Sequence, residues 1–565
     1  MRKFFTLLIL GLLLQVQVQA DDFETAAEAA QNIGVGWNLG NTLEAYSADS
    51  LTQGLESENY WGEPTTTKEL MTMMKEAGFN AIRIPVTWGK HMDENGNVDA
   101  EWMARVHEVV DYVIDNGMYC ILNVHHDTGE YGWLLADESV YNDVKDTYES
   151  LWKQIATEFK DYDEKLLFEA YNEMLDTLKS WCFASFNADG QYNEDIATSA
   201  YNAINDYAQS FVDVVRATGG NNSQRNIIVS TYGACSGSGS WNSHLKDPLK
   251  NLKVPEGEKD HLFFEFHYYP TLDNGLSTAE ADLDDVLAAA EEYLTSQGVP
   301  VIIGEWGTFT NNEFGTNSDY SSNKDNLFDF TEYLITKTKD KNIPTFLWMC
   351  LSDGVARSVP YFNQPDFAEK IVASYYGSSE GYEYPSIDDV TLAYEVYYSD
   401  ASQWEECIVY NGDLSLSEYK GIRVELAEEH AAEDLKLKIY GEYSSTDDIN
   451  QIAECNGKVC EATFDAAQLG TKVTPRITLQ CYTKDYTATI TKIVLIKADG
   501  TEVTVTDAPS VFWGCTVTAK VITTGIENIN ATNTVSNNKI YSITGQEVDE
   551  NYKGLVIKNG RKQIQ

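Results

Sequence analysis

Positively charged side chains are scarce in this sequence. Its 565 residues include 40 lysines and arginines against 88 aspartates and glutamates, which gives a formal net charge of −48. Such a surface repels nucleic acid and anionic membranes, so neither is predicted as a partner. The same charge disfavours a polyanionic polymer such as pectin, whereas a neutral polymer carries no such penalty. Solubility alone is an equally good reason for so acidic a surface.

Long apolar runs are missing after the first twenty residues, so no membrane span of about 18 apolar residues is predicted. The N-terminus has the features of a cleaved secretion signal. Arg2 and Lys3 precede the apolar stretch FFTLLILGLLL, and residues 18–20 (Val-Gln-Ala) fit a small-x-small cleavage site. Residues 1–20 are therefore predicted to be a signal peptide, with the mature, secreted chain beginning near Asp21.

The cysteines lack the spacing of a metal site. There are nine, an odd number, and none is spaced with histidine as zinc ligands are. Secretion permits disulfides, and Cys455 and Cys460 are close enough for a hairpin bridge. The run His125-His126-Asp127 has ligand-type side chains, but adjacent histidines rarely bind one ion together. No metal and no cofactor is predicted.

Eight short apolar runs alternate with amphipathic stretches between Gly34 and about Tyr376. The runs are β-branched, aromatic and nearly continuous, as in parallel strands buried on both faces. The clearest helical stretches, TKELMTMMKEAG and DAEWMARVHEVVDYVIDNG, each end at glycine, which suits a helix C-terminus. This pattern predicts an α/β fold, a (β/α)₈ TIM barrel over residues 21–376. The eight predicted strands lie in VGWNLGNT, NAIRIPVTW, YCILNVHHD, LLFEAYNEM, NIIVSTYG, LFFEFHYYP, VIIGEWG and TFLWMCLSDG.

Polar and aromatic residues gather at the C-terminal ends of these runs. In a TIM barrel that end carries the active site. The candidate site residues are Asn41, Arg83, Trp88, His125, His126, Asn172, Glu173, His267, Tyr269, Glu305 and Trp348.

Two of these residues have the chemistry of a glycoside hydrolase. Glu173 ends the fourth run and Glu305 the seventh, and an unpaired carboxylate in such an apolar strand is costly. Glycosidic bond hydrolysis needs one carboxyl group to protonate the leaving oxygen and another to stabilise or attack the sugar. A single buried glutamate is more often a structural ion-pair partner, as predicted for Glu169. Two at these strand ends predict catalysis.

The motifs as a set resemble glycoside hydrolase family 5 from Gly34 to about Tyr376. They occur in the family's order, one per strand: Gly-Trp-Asn-Leu-Gly-Asn-Thr, Arg-Ile-Pro-Val-Thr-Trp, Val-His-His-Asp, Asn-Glu, His-Tyr-Tyr and Ile-Gly-Glu-Trp-Gly. The resemblance implies a retaining mechanism with Glu173 as acid/base and Glu305 as nucleophile, the two carboxyls about 5–5.5 Å apart.

The resemblance also implies roles for other site residues. Arg83 and Tyr269 would hydrogen-bond the nucleophile, and Asn172 would hold the 2-hydroxyl of the sugar. His125, His126 and His267 would line the cleavage subsite above the Trp348 platform. Asn41 and Trp88 are taken as further substrate contacts.

The sequence departs from the family pattern after the acid. Met174 follows Glu173 where the family usually has proline, which changes the loop beyond the acid. Strand alternation cannot point both Asn172 and Glu173 inward, so a strand end or bulge must intervene.

A second and a third region follow the barrel. Alternating patterns predict a β-sandwich over residues 387–523, of jelly-roll type, in which Trp404 and Trp513 either stack on sugars or fill the core. Residues 538–565 contain Ile-Tyr-Ser-Ile-Thr-Gly-Gln, then Lys-Gly, then Asn-Gly-Arg-Lys. With these motifs they resemble the sorting tail of the type IX secretion system of Bacteroidetes, which implies export and retention at the outer cell surface. The simpler alternative for this tail is a last small β-hairpin.

The predicted function is an endo-β-1,4-glucanase acting on cellulose-type glucan, mixed-linkage glucan or xyloglucan. The family also holds endo-β-mannanases and xylanases, which are the alternatives. A non-catalytic glycan-binding surface protein is the rival from another class, and the presence of both glutamates disfavours it. The predicted partner is a plant cell-wall polysaccharide, and the chain is expected to be a monomer.

Overall fold

The protein is described by a computed structural model. The described residues are 23–47, 53–179, 192–240, 242–310, 313–314, 316–387, 392–399, 405–429, 434–441, 451–505 and 507–521, together with four short C-terminal strands. The predicted signal peptide and Trp404 lie outside them.

Eight parallel strands close into a barrel, as the sequence predicts. Each strand falls within one of the eight apolar runs, and the first pairs with the last through Val35 and Thr345. Around the barrel every strand pairs with the next along the chain, apart from a two-stranded hairpin after the seventh. The strands are β1 Val35–Asn38, β2 Ala81–Ile84, β3 Tyr119–Asn123, β4 Leu166–Glu169, β5 Ile227–Ser230, β6 Leu262–Tyr268, β7 Val301–Trp306, the hairpin β8 Phe309–Thr310 and β9 Glu313–Phe314, and β10 Thr345–Leu347.

Helices surround the barrel and begin at side-chain caps. Asp99, Asp137 and Asn193 each accept backbone N–H bonds at the start of a helix. Gly78 and Gly117 have positive φ just beyond two helix ends, as the glycine pattern predicts. The helices are α1 Ala26–Asn32, α2 Lys68–Glu76, α3 Ala100–Asp115, α4 Glu138–Glu158, α5 Glu194–Ala217, α6 Asp247–Asn251, α7 Leu276–Tyr293, α8 Thr316–Ser322, α9 Lys324–Asp340, α10 Val355–Ser358 and α11 Pro365–Tyr376. None of the helices in the described residues is both long and apolar enough to cross a membrane.

The barrel interior is layered because side chains along a strand alternate between its two faces. The lower layer is apolar and is closed from below by α1; it includes Ala81, Ile121, Leu167, Ile228, Phe263, Ile302 and Phe346. Two residues further along six of the strands, the inward positions are polar. This polar layer consists of Asn38, Arg83, Asn123, Glu169, Ser230 and Glu265, all fully buried.

The region predicted as a β-sandwich forms a twelve-stranded sheet around one apolar core. Strands that are far apart in the order of the sheet contact each other across that core. There the Tyr398 hydroxyl donates to the Leu479 carbonyl at 2.9 Å. The predicted Cys455–Cys460 disulfide is confirmed. The elements are β11 Leu392–Tyr398, β12 Glu406–Asn411, β13 Leu414–Ser415, β14 Tyr419–Leu426, β15 Lys436–Gly441, β16 Gln451–Asn456, β17 Val459–Thr463, α12 Ala466–Leu469, β18 Lys472–Gln480, β19 Tyr486–Lys497, β20 Glu502–Thr504, β21 Ser510–Trp513 and β22 Thr516–Val521.

This sheet packs on the barrel through α10 and the residues after it. Ala356, Val359 and Tyr361 form an apolar cluster with Leu392 and Ala519 of the sheet. The side chain of Trp513 is exposed. Whether it binds sugar stays a prediction, as do the domain boundaries.

The C-terminal strands form a separate antiparallel sheet in the order β24-β23-β25-β26. They are β23 Ile540–Ser542, β24 Glu547–Val548, β25 Leu555–Lys558 and β26 Arg561–Ile564.

Candidate active site

Two local irregularities bring the predicted catalytic glutamates to the barrel opening. β4 ends at Glu169, and Asn172 and Glu173 follow beyond it, which is the strand end that their adjacency requires. The pairing of β6 and β7 shifts register between Phe266 and His267, so that His267 lies opposite Glu305. Gly304 faces the barrel interior beside Glu265, so regular alternation would turn the next residue, Glu305, outward. The register shift allows Glu305 to face the site as well.

Glu305 is held as a carboxylate by two donors. Arg83 Nη1 donates to its Oε1 at 2.8 Å, and the Tyr269 hydroxyl donates to its Oε2 at 2.6 Å. Burial by itself raises the pKa of this carboxyl, but the charges of His267 and Arg83 and the hydrogen bonds outweigh it. The net result is a pKa below the ordinary value, so Glu305 is ionised and available as a nucleophile.

Glu173 has the opposite bias. Burial raises its pKa, and the nearby charge of Glu305 adds to the effect, while His267 opposes both. Its Oε1 lies 2.8 Å from His267 Nδ1. Two neighbouring carboxyls whose pKa values are pushed apart can act as an acid and a nucleophile.

The two carboxyls are close enough to act on one bond. Glu173, His267 and Glu305 each offer an atom within 4.8 Å of the others. That spacing fits the short carboxyl separation of a retaining site. The same three groups have the ligand types of a metal site, but a cation there would lie beside the Arg83 guanidinium. The carboxylate oxygens and the imidazole nitrogen that would bind an ion are already used in hydrogen bonds to Arg83, to Tyr269 and to one another.

Arg83 is the centre of the polar layer. Its five N–H groups are all used: two on Glu169 at 2.6 and 2.7 Å, and one each on Asn38, Asn172 and Glu305 at 2.8–2.9 Å. Glu169 is therefore the buried structural partner that the sequence predicts. The guanidinium is fully buried, so Arg83 acts on Glu305 and Asn172 rather than on a ligand.

Two aromatic rings form the wall of the barrel opening beside β3 and β10. His125 and Trp348 are parallel, with centroids 5.8 Å apart and 2° between the ring planes. His125 Nδ1 lies 3.0 Å from Asn123 Nδ2, and its Nε2 lies 3.4 Å from Asn172 Nδ2. Burial, with His126 adding to it, holds the pKa of His125 well below the usual range, so the ring is neutral.

Residues 43–354 match the family described as Cellulase (glycosyl hydrolase family 5). The chain belongs to glycosyl hydrolase family 5. Endoglucanase A of Clostridium longisporum is 34% identical over 339 residues, which cover 59% of this chain and 61% of that protein. Endoglucanase B of Neocallimastix patriciarum is 34% identical over 338 residues, covering 57% and 64%. The chain thus spans about three fifths of the length of these curated relatives.

Solved family 5 structures match the barrel along nearly their whole length. A GH5-4 broad-specificity endoglucanase from an uncultured bacterium has 53% identity and a TM-score of 0.62, covering 64% of this chain and 98% of that one. A family 5 enzyme from Prevotella bryantii, in complex with a xyloglucan tetradecasaccharide, has 38% identity and a TM-score of 0.56, covering 62% and 99%.

Most of the predicted family 5 residues come together at this opening, and Trp88 is the exception. Trp88 is fully buried, and its Nε1 donates to the Asn123 carbonyl at 2.8 Å. The prediction that it contacts substrate is wrong, because its ring packs in the core. Asn41 lies in a left-handed turn after β1, where its N–H donates to Glu44. Met174, the departure from the family pattern, is buried, and its carbonyl accepts from the Gly233 N–H.

An aromatic group lies next to His126, which is itself predicted at the cleavage subsite. The rings of Tyr46, Trp61 and His126 contact one another with centroids 5.3–5.6 Å apart. The Trp61 side chain is 40% exposed. Its ring is accessible for stacking on a sugar, whereas the rings of Trp37 and Trp306 are buried.

Glu265 was missed by sequence reasoning. It is two residues before His267 on β6, in a run that is otherwise apolar, so both side chains face the interior. That period-two spacing is the signal that identifies it.

Proposed function

We propose that this protein is a retaining glycoside hydrolase that cleaves internal β-1,4-glucan linkages. The observation that carries the proposal is the pair of close carboxyls with opposite pKa shifts, Glu305 lowered and Glu173 raised. A protein that only binds glycans has no use for such a pair.

The proposed reaction has two displacements. In the first, a Glu305 oxygen bonds to the anomeric carbon while the glycosidic C–O bond breaks and Glu173 gives its proton to the leaving oxygen. In the second, Glu173 takes a proton from water, the water oxygen bonds to the anomeric carbon, and the Glu305 ester bond breaks. Both glutamates return to their starting protonation states, and the anomeric configuration is retained.

His267 can assist the first step. Although burial works against its cation, the charge of Glu305 and the hydrogen bond to Glu173 raise the pKa of His267 to about 10. A cationic His267 stabilises the Glu173 carboxylate that forms in the first step.

A neutral glucan is the best-supported substrate. The net charge of −48 disfavours polyanions, and the exposed Trp61 offers a ring face to sugar C–H groups. The solved relatives include a broad-specificity endoglucanase and an enzyme with bound xyloglucan. Mannan and xylan remain the alternative backbones.

The proposal is tested by product release from barley β-glucan, xyloglucan, carboxymethyl cellulose and glucomannan. We expect the wild type to cut at least one glucan and Glu173→Gln to lose about 10²–10⁴-fold in kcat/KM on it. On a dinitrophenyl β-cellobioside, whose leaving group needs no proton, the variant should still release a burst of phenol and then stall.

Glu164→Gln, at the opposite end of the barrel, is the matched control and should behave as wild type. A wild type that cuts none of the four polymers contradicts the glucanase assignment. A Glu173→Gln that loses equally on polymer and aryl substrate contradicts the acid/base role.

We also propose that the chain is exported and reaches the outer cell surface by type IX secretion. The support is the N-terminal signal pattern and the resemblance of residues 538–565 to a sorting tail. In a Bacteroidetes host, the full chain should be outside the cell and a chain ending at Thr523 should stay in the periplasm. Equal amounts of both proteins outside the cell would contradict the role of the tail; glucanase activity of periplasmic extracts controls for folding.

A further inference from the structure

Glu265 is a buried carboxyl that the proposed reaction does not use. It lies on β6 in the polar layer and is fully buried. Neither of its oxygens has a hydrogen-bond partner among the described residues. Such a group is costly unless a neighbouring charge compensates it.

Two groups beside Glu265 can carry a compensating positive charge: Arg83, whose Nε lies 3.8 Å from Glu265 Oε1, and His267, which is slightly nearer. Its Nε2 also lacks a hydrogen-bond partner among the described residues and lies 3.7 Å from Glu265 Oε1. Its other nitrogen, Nδ1, lies 2.8 Å from Glu173 and 3.5 Å from Glu305. The imidazole therefore stands between one buried carboxyl and the two proposed catalytic carboxyls.

The backbone of β7 leaves space for this carboxyl. A Cβ on residue 304 would lie 1.6 Å from Glu265 Oε1. Only glycine fits at position 304 while Glu265 stays beside His267.

We propose that Glu265 is a positioning residue for His267, whose Nε2–H it attracts so that Nδ1 points at Glu173 and Glu305. The inference rests on the proposed function, because it matters only if Glu173 and Glu305 are the reacting carboxyls. It adds a third carboxyl, behind the histidine, that sets the orientation and charge of the ring.

The charge of Glu265 depends on all the groups around it. The groups that face it across the barrel interior are Glu169 on β4, Arg83 on β2, His267 on its own strand β6, and the Tyr171 ring after β4. Burial, and then the charge of Glu169, raise the pKa of Glu265 to about 7, with His267 and Arg83 opposing them. Its negative charge therefore develops near neutral pH.

The sign of the effect on Glu173 follows from this charge. Glu305 and Glu173 are larger causes than Glu265 of the raised pKa of His267, about 10, so His267 stays cationic near neutral pH and its pull on Glu173 persists. The ionised Glu265 adds a negative charge, which disfavours a second negative charge on Glu173. It therefore keeps Glu173 protonated to higher pH. The alkaline limb of the pH profile of kcat/KM reports loss of that proton in the free enzyme.

The test compares Glu265→Gln, which keeps size and an acceptor oxygen, with Glu265→Met, which keeps only size. In Glu265→Gln we expect the alkaline limb to move down by at least about 0.5 pH unit and the activity at its optimum to stay within about tenfold of wild type. Glu265→Met should lose at least about tenfold more, because nothing accepts from Nε2–H. An unmoved alkaline limb, or equal activity of the two variants, overturns the proposal.

A second measurement does not depend on catalysis. Histidine ¹⁵N resonances report the pKa of His267 directly, and Glu265→Gln should lower it. Glu44→Gln removes another buried glutamate whose pKa burial raises to about 7, and it should leave His267 unchanged. If the protein cuts no glucan, the proposed function fails while this titration still tests the contact; an unchanged His267 pKa overturns the contact itself.

Discussion

Replacing Glu305 by glutamine is expected to lower kcat/KM on the best glucan substrate by about 10⁵-fold. The amide keeps the size and one acceptor oxygen for Arg83 or Tyr269, so the polar layer stays intact. It cannot form the glycosyl ester, and that step has no substitute in the site. The measurement is initial product release, with folding checked by thermal unfolding.

Azide separates loss of the nucleophile from general damage. With Glu305→Ala, azide should enter the vacated space and give a glycosyl azide of inverted configuration. Glu292→Gln, an exposed glutamate on α7, should keep full activity. Wild-type activity of Glu305→Gln would remove the nucleophile from the mechanism, and a glycosyl azide of retained configuration from Glu305→Ala would assign it to another group.

Replacing Arg83 by methionine is expected to lower the free energy of unfolding by about 3–5 kcal/mol at pH 7. The change leaves Glu169 and Glu305 buried without the cation that serves both. Urea unfolding measures the loss. Arg423→Met is the control, because it also removes an arginine that is paired with a glutamate, Glu502. The Glu502 side chain is 46% exposed to solvent, so a loss of about 1 kcal/mol or less is expected.

The pH dependence of this loss has a definite sign. In the wild type the pKa of Glu305 is below its ordinary value, so its stabilising contribution is present above the unfolded pKa and is lost as pH falls through the folded pKa. Without Arg83, burial is less opposed and the folded pKa rises. The difference in free energy of unfolding between the variant and the wild type should therefore shrink as the pH falls from 7 to 4. If this difference does not change with pH, the lost stability comes from packing rather than from charge.

The barrel and the closeness of Glu173 and Glu305 could be predicted from sequence because both depend on local patterns. Each of the eight strands formed within one apolar run, and Glu173 and Glu305 stand at run ends. The C-terminal ends of parallel strands meet at one opening, so placing them together needed no knowledge of packing.

What could not be predicted depends on contacts between distant strands. Trp88 and Trp348 both follow an apolar run, so their sequence positions look alike. The Trp88 ring nevertheless packs in the core, where its Nε1 donates to the Asn123 carbonyl. The register shift between β6 and β7 is a property of the pair, not of either strand. The polar character of Glu265 was visible, but its distance from His267 was not.

The pairing of β1 with β10 determines when the barrel can close. Strands about 310 residues apart in sequence close the barrel, through Val35↔Thr345 and its neighbours. At about 5–20 residues per second, a ribosome needs roughly 20–70 s to reach the closing strand. Until then the nascent sheet has two open edges, and Arg83 and its glutamates remain in water. The site can thus be completed only after the closing strand has been made, although the arginine at its centre is among the first hundred residues.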